Sequence, residues 1–173
     1  MNFIGKEVFF DRDDLIVSKT DPTGRIIYAN HTFLEVADYT EEEVIGKQHN
    51  IIRCPAMPRA IFERFWNTLK AGEEIFAYVV NSTKNGDHYW VIAHVTPSVV
   101  NGTIVGFHST RRVPSTHNIR NVIMPLYDDL KRIEDSTASK RVGLEKSLEA
   151  LDDKLTEMGV TYAEFVAALA KDD

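Results

Sequence analysis

The side chains best equipped for covalent or metal chemistry are one cysteine, Cys54, and six histidines, and their spacing offers neither. There is no Gly-rich P-loop, no paired Cys-x-x-Cys and no evident Ser-His-Asp arrangement. Asp87 and His88 are adjacent, but they follow Asn85-Gly86, so a solvent-facing hairpin turn is their expected setting. The chain therefore reads as non-enzymatic. Binding chemistry is better represented. Arg53 follows the apolar pair Ile51-Ile52, and a guanidinium there can hold a diphosphate through two parallel hydrogen bonds; a surface pair with Glu63 is its competing role. Asn30 precedes a helical run, where its amide suits an N-cap. His49, His94 and His108 are the imidazoles that could ligate a haem iron in a cleft.

These residues sit in a chain of 173 residues, 43% of them apolar, enough for one modest domain and an appendage. A net charge of −6 argues against a nucleic-acid binder, which carries a basic stripe. One cysteine forbids an intrachain disulfide and suits a reducing compartment. Residues 1–14 have no continuous apolar run of the signal-peptide kind, and no stretch approaches the roughly 20 apolar residues of a membrane span. A cytoplasmic protein without direct membrane insertion is expected.

The elements that position the candidates can be read from period and punctuation. Residues 15–19 and 25–28 are strands around the turn Asp21-Pro22-Thr23-Gly24, where Pro fixes φ and Gly allows positive φ. Asn30 caps a helix with Phe33, Val36 and Ala37 on one face, and Thr40 caps another that begins Glu41-Glu42-Glu43. Pro58 opens a longer helix carrying Ile61, Phe62, Phe65, Trp66 and Leu69. Strands at 75–83, 87–96 and 103–110 follow, separated by Asn85-Gly86 and Asn101-Gly102. Two strands, several helices and three strands make an α+β fold, a five-stranded antiparallel sheet with helices on one face.

After Pro114 the composition turns helical and acidic, with 8 Lys and Arg against 12 Asp and Glu. Ile119, Val122, Ile123, Leu126, Leu130 and Ile133 form an apolar stripe that Pro125 must kink or restart. Leu144, Leu148, Leu151, Leu155 and Met158 make a two-heptad seam, suited either to self-association or to packing on the preceding domain. Gly159 ends that helix and Thr161 caps a last one.

In this order of elements, five segments carry a resemblance. They are Tyr28-Ala29-Asn30-His31-Thr32-Phe33, the run from Ile45 to Arg53, the helix start Met57-Pro58-Arg59-Ala60-Ile61-Phe62, the run from Trp66 to Gly72, and the run from Lys84 to Val91. The chain resembles the flavin-binding PAS domains of bacterial aerotaxis receptors. The resemblance implies a division into an N-terminal cap (1–14), a PAS sensor domain (15–113) and a helical tail (114–173). It implies FAD as cofactor, with FMN or haem as alternatives, held by Asn30, Asn50, Arg53, Phe62, Trp66, Asn81 and Trp90. Asn81 matches the family asparagine at the flavin, whose carboxamide both donates and accepts. The family's usual His-Pro-Asp-Met-Pro is Cys54-Pro55-Ala56-Met57-Pro58 here, a change at the adenine and phosphate end. A photoreceptor of the light-oxygen-voltage type would need its cysteine at the position of His49, so a flavin–thiol adduct is not expected. The implied function is redox or oxygen sensing for energy taxis, signalled in trans through the tail of a homodimer to a chemotaxis transducer. A cofactor-free adaptor is the other class of function.

Overall fold

The structure, a computed structural model, describes residue 1 and residues 3–172. Strands β1 (Ile16–Thr20), β2 (Ile26–Ala29), β3 (Ile75–Ser82), β4 (His88–Val100) and β5 (Thr103–Arg112) form one antiparallel sheet in the order β2-β1-β5-β4-β3. Helices α1 (His31–Ala37), α2 (Glu41–Val44) and α3 (Arg59–Lys70) lie between β2 and β3 in sequence. All five expected strands form. β4 runs to Val100, beyond its expected end, and Pro97 is tolerated because β3 stops opposite Val95. Past that point β4 pairs only with β5.

The two periodicities sort the core. Along β3 and β4, Val79, Asn81, Ala93 and Val95 face inward, toward α3, while Tyr78, Trp90 and His94 take the opposite face. The caps hold as read. Asn30 accepts from the Phe33 amide, and Thr40 with Glu43 forms a capping box.

The tail comprises α4 (Thr116–Asn118), a π turn (Ile119–Ile123), α5 (Met124–Asp135), α6 (Lys140–Met158) and α7 (Tyr162–Leu169). Pro125 falls in the first turn of α5, directly after the π turn, so the helix continues through a local widening instead of breaking. Gly159 ends α6 with φ of 68°, and Thr161 and Glu164 form the capping box of α7.

The tail does not hang free. Tyr127 of α5 lies on the outer sheet face against Trp90, with ring centroids 6.1 Å apart, and Phe3 meets the same indole edge-on. Helices thus cover the inner face through α3 and the outer face through the tail. Leu151 and Leu155 of the expected seam are buried within the chain's own fold, while Met158 is 52% exposed. Within the chain, the seam helix packs on α5 and α3.

Candidate functional site: a cavity between the sheet and helix α3

Helix α3 and the inner face of the sheet stand apart far enough to enclose a cavity of about 340 Å³. That lies within the range of small-molecule sites, roughly 300–1,000 Å³. Its walls are apolar: Phe62, Phe65, Trp66 and Leu69 from α3, Val79, Ala93, Val95 and Phe107 from the strands. The Trp66 and Phe107 rings meet edge to face at 5.4 Å. The last wall comes from the tail, where Leu144 of α6 reaches the cavity.

The sheet floor is polar. Ser18 and Thr20 from β1, Asn81 from β3 and Ser109 and Arg111 from β5 all line it, and all are buried. Arg111 is 4% exposed and donates through Nη2 to Ser18 Oγ at 3.0 Å and to His49 Nε2 at 2.7 Å. Since a guanidinium only donates, His49 Nε2 accepts, and the neutral ring carries its proton on Nδ1. Burial, followed by the adjacent Arg111 charge, pushes the His49 pKa down to about 3. Burial also lowers Arg111, to about 10, which leaves it charged at neutral pH. Burial raises the Tyr89 phenol, across the strand pair from Asn81, above its ordinary range.

Three buried atoms of these lining residues have no hydrogen-bond partner, Thr20 Oγ1, Ser109 Oγ and Arg111 Nη1, while the Asn81 amide faces the Tyr89 hydroxyl. Buried polar groups are nearly always paired, because leaving one unpaired costs about 1–3 kcal/mol. Donors and hydroxyls left over on the floor of an apolar slot suit a flat ligand with acceptor atoms along one edge.

The mouth is charged. Asn50, Arg53 and Glu63 line it and are exposed. The Arg53 guanidinium lies 4.5 Å over the Phe62 ring and does not ion-pair with Glu63. Arg53 also makes an antiparallel bridge to Asn81 on the outer edge of β3. Partial desolvation at the mouth, with Arg59 nearby, lowers its pKa. The structure therefore brings together Asn50, Arg53, Phe62, Trp66 and Asn81.

Two residues of the expected set stand elsewhere. The Asn30 side chain is engaged by main chain: its Oδ1 accepts from the Val17 and Phe33 amides and its Nδ2 donates to the Leu15 carbonyl at 2.7 Å. It is a helix cap and strand clamp and does not line the cavity. Trp90 projects to the outer face, because strand alternation puts it opposite Val91 and Ala93. The three imidazoles named for a haem are placed differently. His94 pairs with Glu74 at 2.7 Å and stacks on Phe76, and His108 contacts Thr110 at 3.3 Å, both away from the cavity. Only His49 of the three lines it, with Nε2 engaged by Arg111. Cys54 and Ala56 pack into the core and do not line the cavity.

Residues 26–111 match the family described as the PAS fold. The chain belongs to the PAS family. Its PAS domain is similar to the aerotaxis receptor of Escherichia coli, 42% identical over 130 residues, which is 75% of this chain and 25% of the receptor. The chain thus spans about a quarter of that relative's length. Phototropin-2 of rice is 26% identical over 87 residues, covering 50% of this chain and 10% of phototropin-2. Among solved structures, a light-oxygen-voltage domain studied with a flavin analogue superposes with a TM-score of 0.56 at 20% identity. That alignment covers 66% of this chain and 87% of the other and supports the fold. Sequence reading had missed the floor of this PAS domain: Thr20, Ser109 and Arg111. The available signal was the period of two in Phe107-x-Ser109-x-Arg111, which puts a charge on the face of Phe107.

Proposed function

We propose that this chain is a flavin-binding PAS sensor, with FAD as ligand and FMN as the alternative, that reports redox or oxygen state through its helical tail. The observation that carries the reading is the set of three partnerless polar atoms, Thr20 Oγ1, Ser109 Oγ and Arg111 Nη1, on the floor of an otherwise apolar cavity. A flavin supplies a reversible redox couple and a ring edge rich in acceptors. Arg111 and Asn81 would meet that edge, Trp66 and Phe62 the ring faces, and Asn50 and Arg53 at the mouth the phosphate-bearing side chain. The loss of the family's histidine and aspartate leaves Arg53 as the principal cation for a diphosphate, so FMN stays in contention.

The route outward runs through β3. Asn81 can exchange its donor and acceptor ends by rotating the carboxamide, responding to a change in the ligand's hydrogen bonding. Three residues along the same strand, the Tyr78 carbonyl accepts from the hydroxyl of Tyr127 in the tail at 2.6 Å. A shift at one end of this short span is felt at the other. Signalling in trans to a chemotaxis-type transducer, from a homodimer, without catalysis and in the cytoplasm, completes the proposal. It draws on the similarity to the aerotaxis receptor. Among the described residues no helix is long and apolar enough to cross a membrane.

The test is the absorption spectrum of the purified chain, followed by fluorescence titration with FAD and FMN. Three-banded flavin absorption, or saturable binding of either compound, supports the proposal. A Soret band would indicate haem instead, and a colourless protein that binds neither flavin would leave the adaptor reading.

A further inference from the structure

Helix α3, which forms one side of the cavity, begins at Arg59 after Pro58, and Pro58 offers no side-chain cap. The missing cap comes from the tail. Glu134, near the end of α5, is 1% exposed; its Oε1 accepts from the Ala60 amide at 2.9 Å and its Oε2 from Arg59 Nε at 3.1 Å. A carboxylate at a helix N-terminus meets both free amides and the positive end of the dipole. Arg59 donates again, through Nη1, to the Lys140 carbonyl at the start of α6 at 2.8 Å. One guanidinium therefore ties both tail helices to α3, and that same residue lines the cavity.

The tail also reaches the cavity directly. Leu144, in the first turns of α6, is part of the wall. Its neighbour Gly143 shows how closely the helices approach: a Cβ there would lie 2.5 Å from the Glu134 carbonyl oxygen. Latch and wall are thus adjacent.

We propose that the α5–α6 pair is a lid on the ligand cavity, held shut by the Glu134–Arg59 latch and sealed by Leu144. Glu134 is then a positioning residue for the binding site, acting through Arg59. Ligand occupancy and tail docking become one coupled equilibrium, and coupling of this kind is reciprocal: a docked tail retains the ligand and a bound ligand holds the tail. The ligand arm of this inference rests on the flavin reading, whereas the lid itself does not.

The experiment uses the full chain carrying Trp90→Phe, so that Trp66 in the cavity wall is the one tryptophan, and reads quenching of its fluorescence by acrylamide. Glu134→Gln keeps the shape but sets an amide against Arg59. It is expected to raise the quenching constant about threefold, with the helical circular dichroism retained, and to release bound FMN about tenfold faster. Leu144→Ala, with the latch intact, should show the same changes to a smaller extent and decides the matter if Glu134→Gln does not fold. A folded variant whose tail amides exchange rapidly while quenching stays at the parental value would overturn the lid. If no flavin binds, the function proposed above falls, and quenching alone still decides the lid.

Discussion

Arg111 donates to His49 Nε2 at 2.7 Å across the floor of the cavity, a buried cation directed at a neutral imidazole. The pair fixes the histidine tautomer and leaves Nη1 of the guanidinium without a hydrogen-bond partner. It also gives the fold a sensitivity to acid.

In the unfolded chain His49 takes up a proton near its ordinary pKa of 6.5, but in the folded chain not until about pH 3. Between those values the unfolded state binds more protons, so the contribution of His49 to stability is complete above 6.5 and declines as pH falls toward 3. One such proton corresponds to a slope of about 1.4 kcal/mol per pH unit. Urea unfolding at pH 7 and pH 5.5 should show this loss, and His49→Gln, which keeps an acceptor for Arg111, should lessen it. Equal pH slopes for the two proteins would rule the account out.

Arg111→Met retains much of the volume while removing the charge and the spare donor. A hydrogen bond from a charged group contributes about 1.5–3 kcal/mol, so flavin affinity should fall by roughly 10- to 150-fold. Fluorescence titration measures it, and an unchanged Kd would mean that the ligand edge does not lie on this floor.

Asn30→Ala separates cap from ligand contact. Losing the side chain that serves Val17, Phe33 and Leu15 should lower stability by about 1–2 kcal/mol. Flavin affinity should stay within error of the parent. A large loss of affinity in a folded variant would return Asn30 to the binding site.

Tyr127→Phe removes the hydroxyl that reaches the Tyr78 carbonyl. The cost expected is about 1–2 kcal/mol, because the partner is buried. Hydrogen exchange should localise the change to α5 and β3. Faster exchange spread evenly through the sheet would show that the contact is not a local joint between tail and strand.

Residue type and period were sufficient for much of this protein. Apolar, β-branched and aromatic runs at 75–83 and 87–96 marked the paired strands, and the Asn-Gly turns marked their connections, because the positive φ at Gly86, Asn101 and Gly102 admits few other residues. Asn30, Thr40, Gly159 and Thr161 marked helix ends for equally local reasons. Alternation also placed Ala93 and Val95 on one face and His94 on the other, as observed. Local rules did not reach the rest. The seam from Leu144 to Met158 satisfies the same spacing whether its partner is a second chain or the chain's own helices, and its packing on α3 and α5 is legible only in the folded arrangement. Alternation puts Trp90 on the face of His94, but which of the two faces meets α3 and which meets Tyr127 was decided by tertiary packing. The Glu134–Ala60 and Arg111–His49 contacts join residues 74 and 62 positions apart. Periodicity describes how a segment repeats along itself and carries no information about which distant segment will stand opposite, so these contacts, and with them the floor and lid of the cavity, were set by tertiary packing.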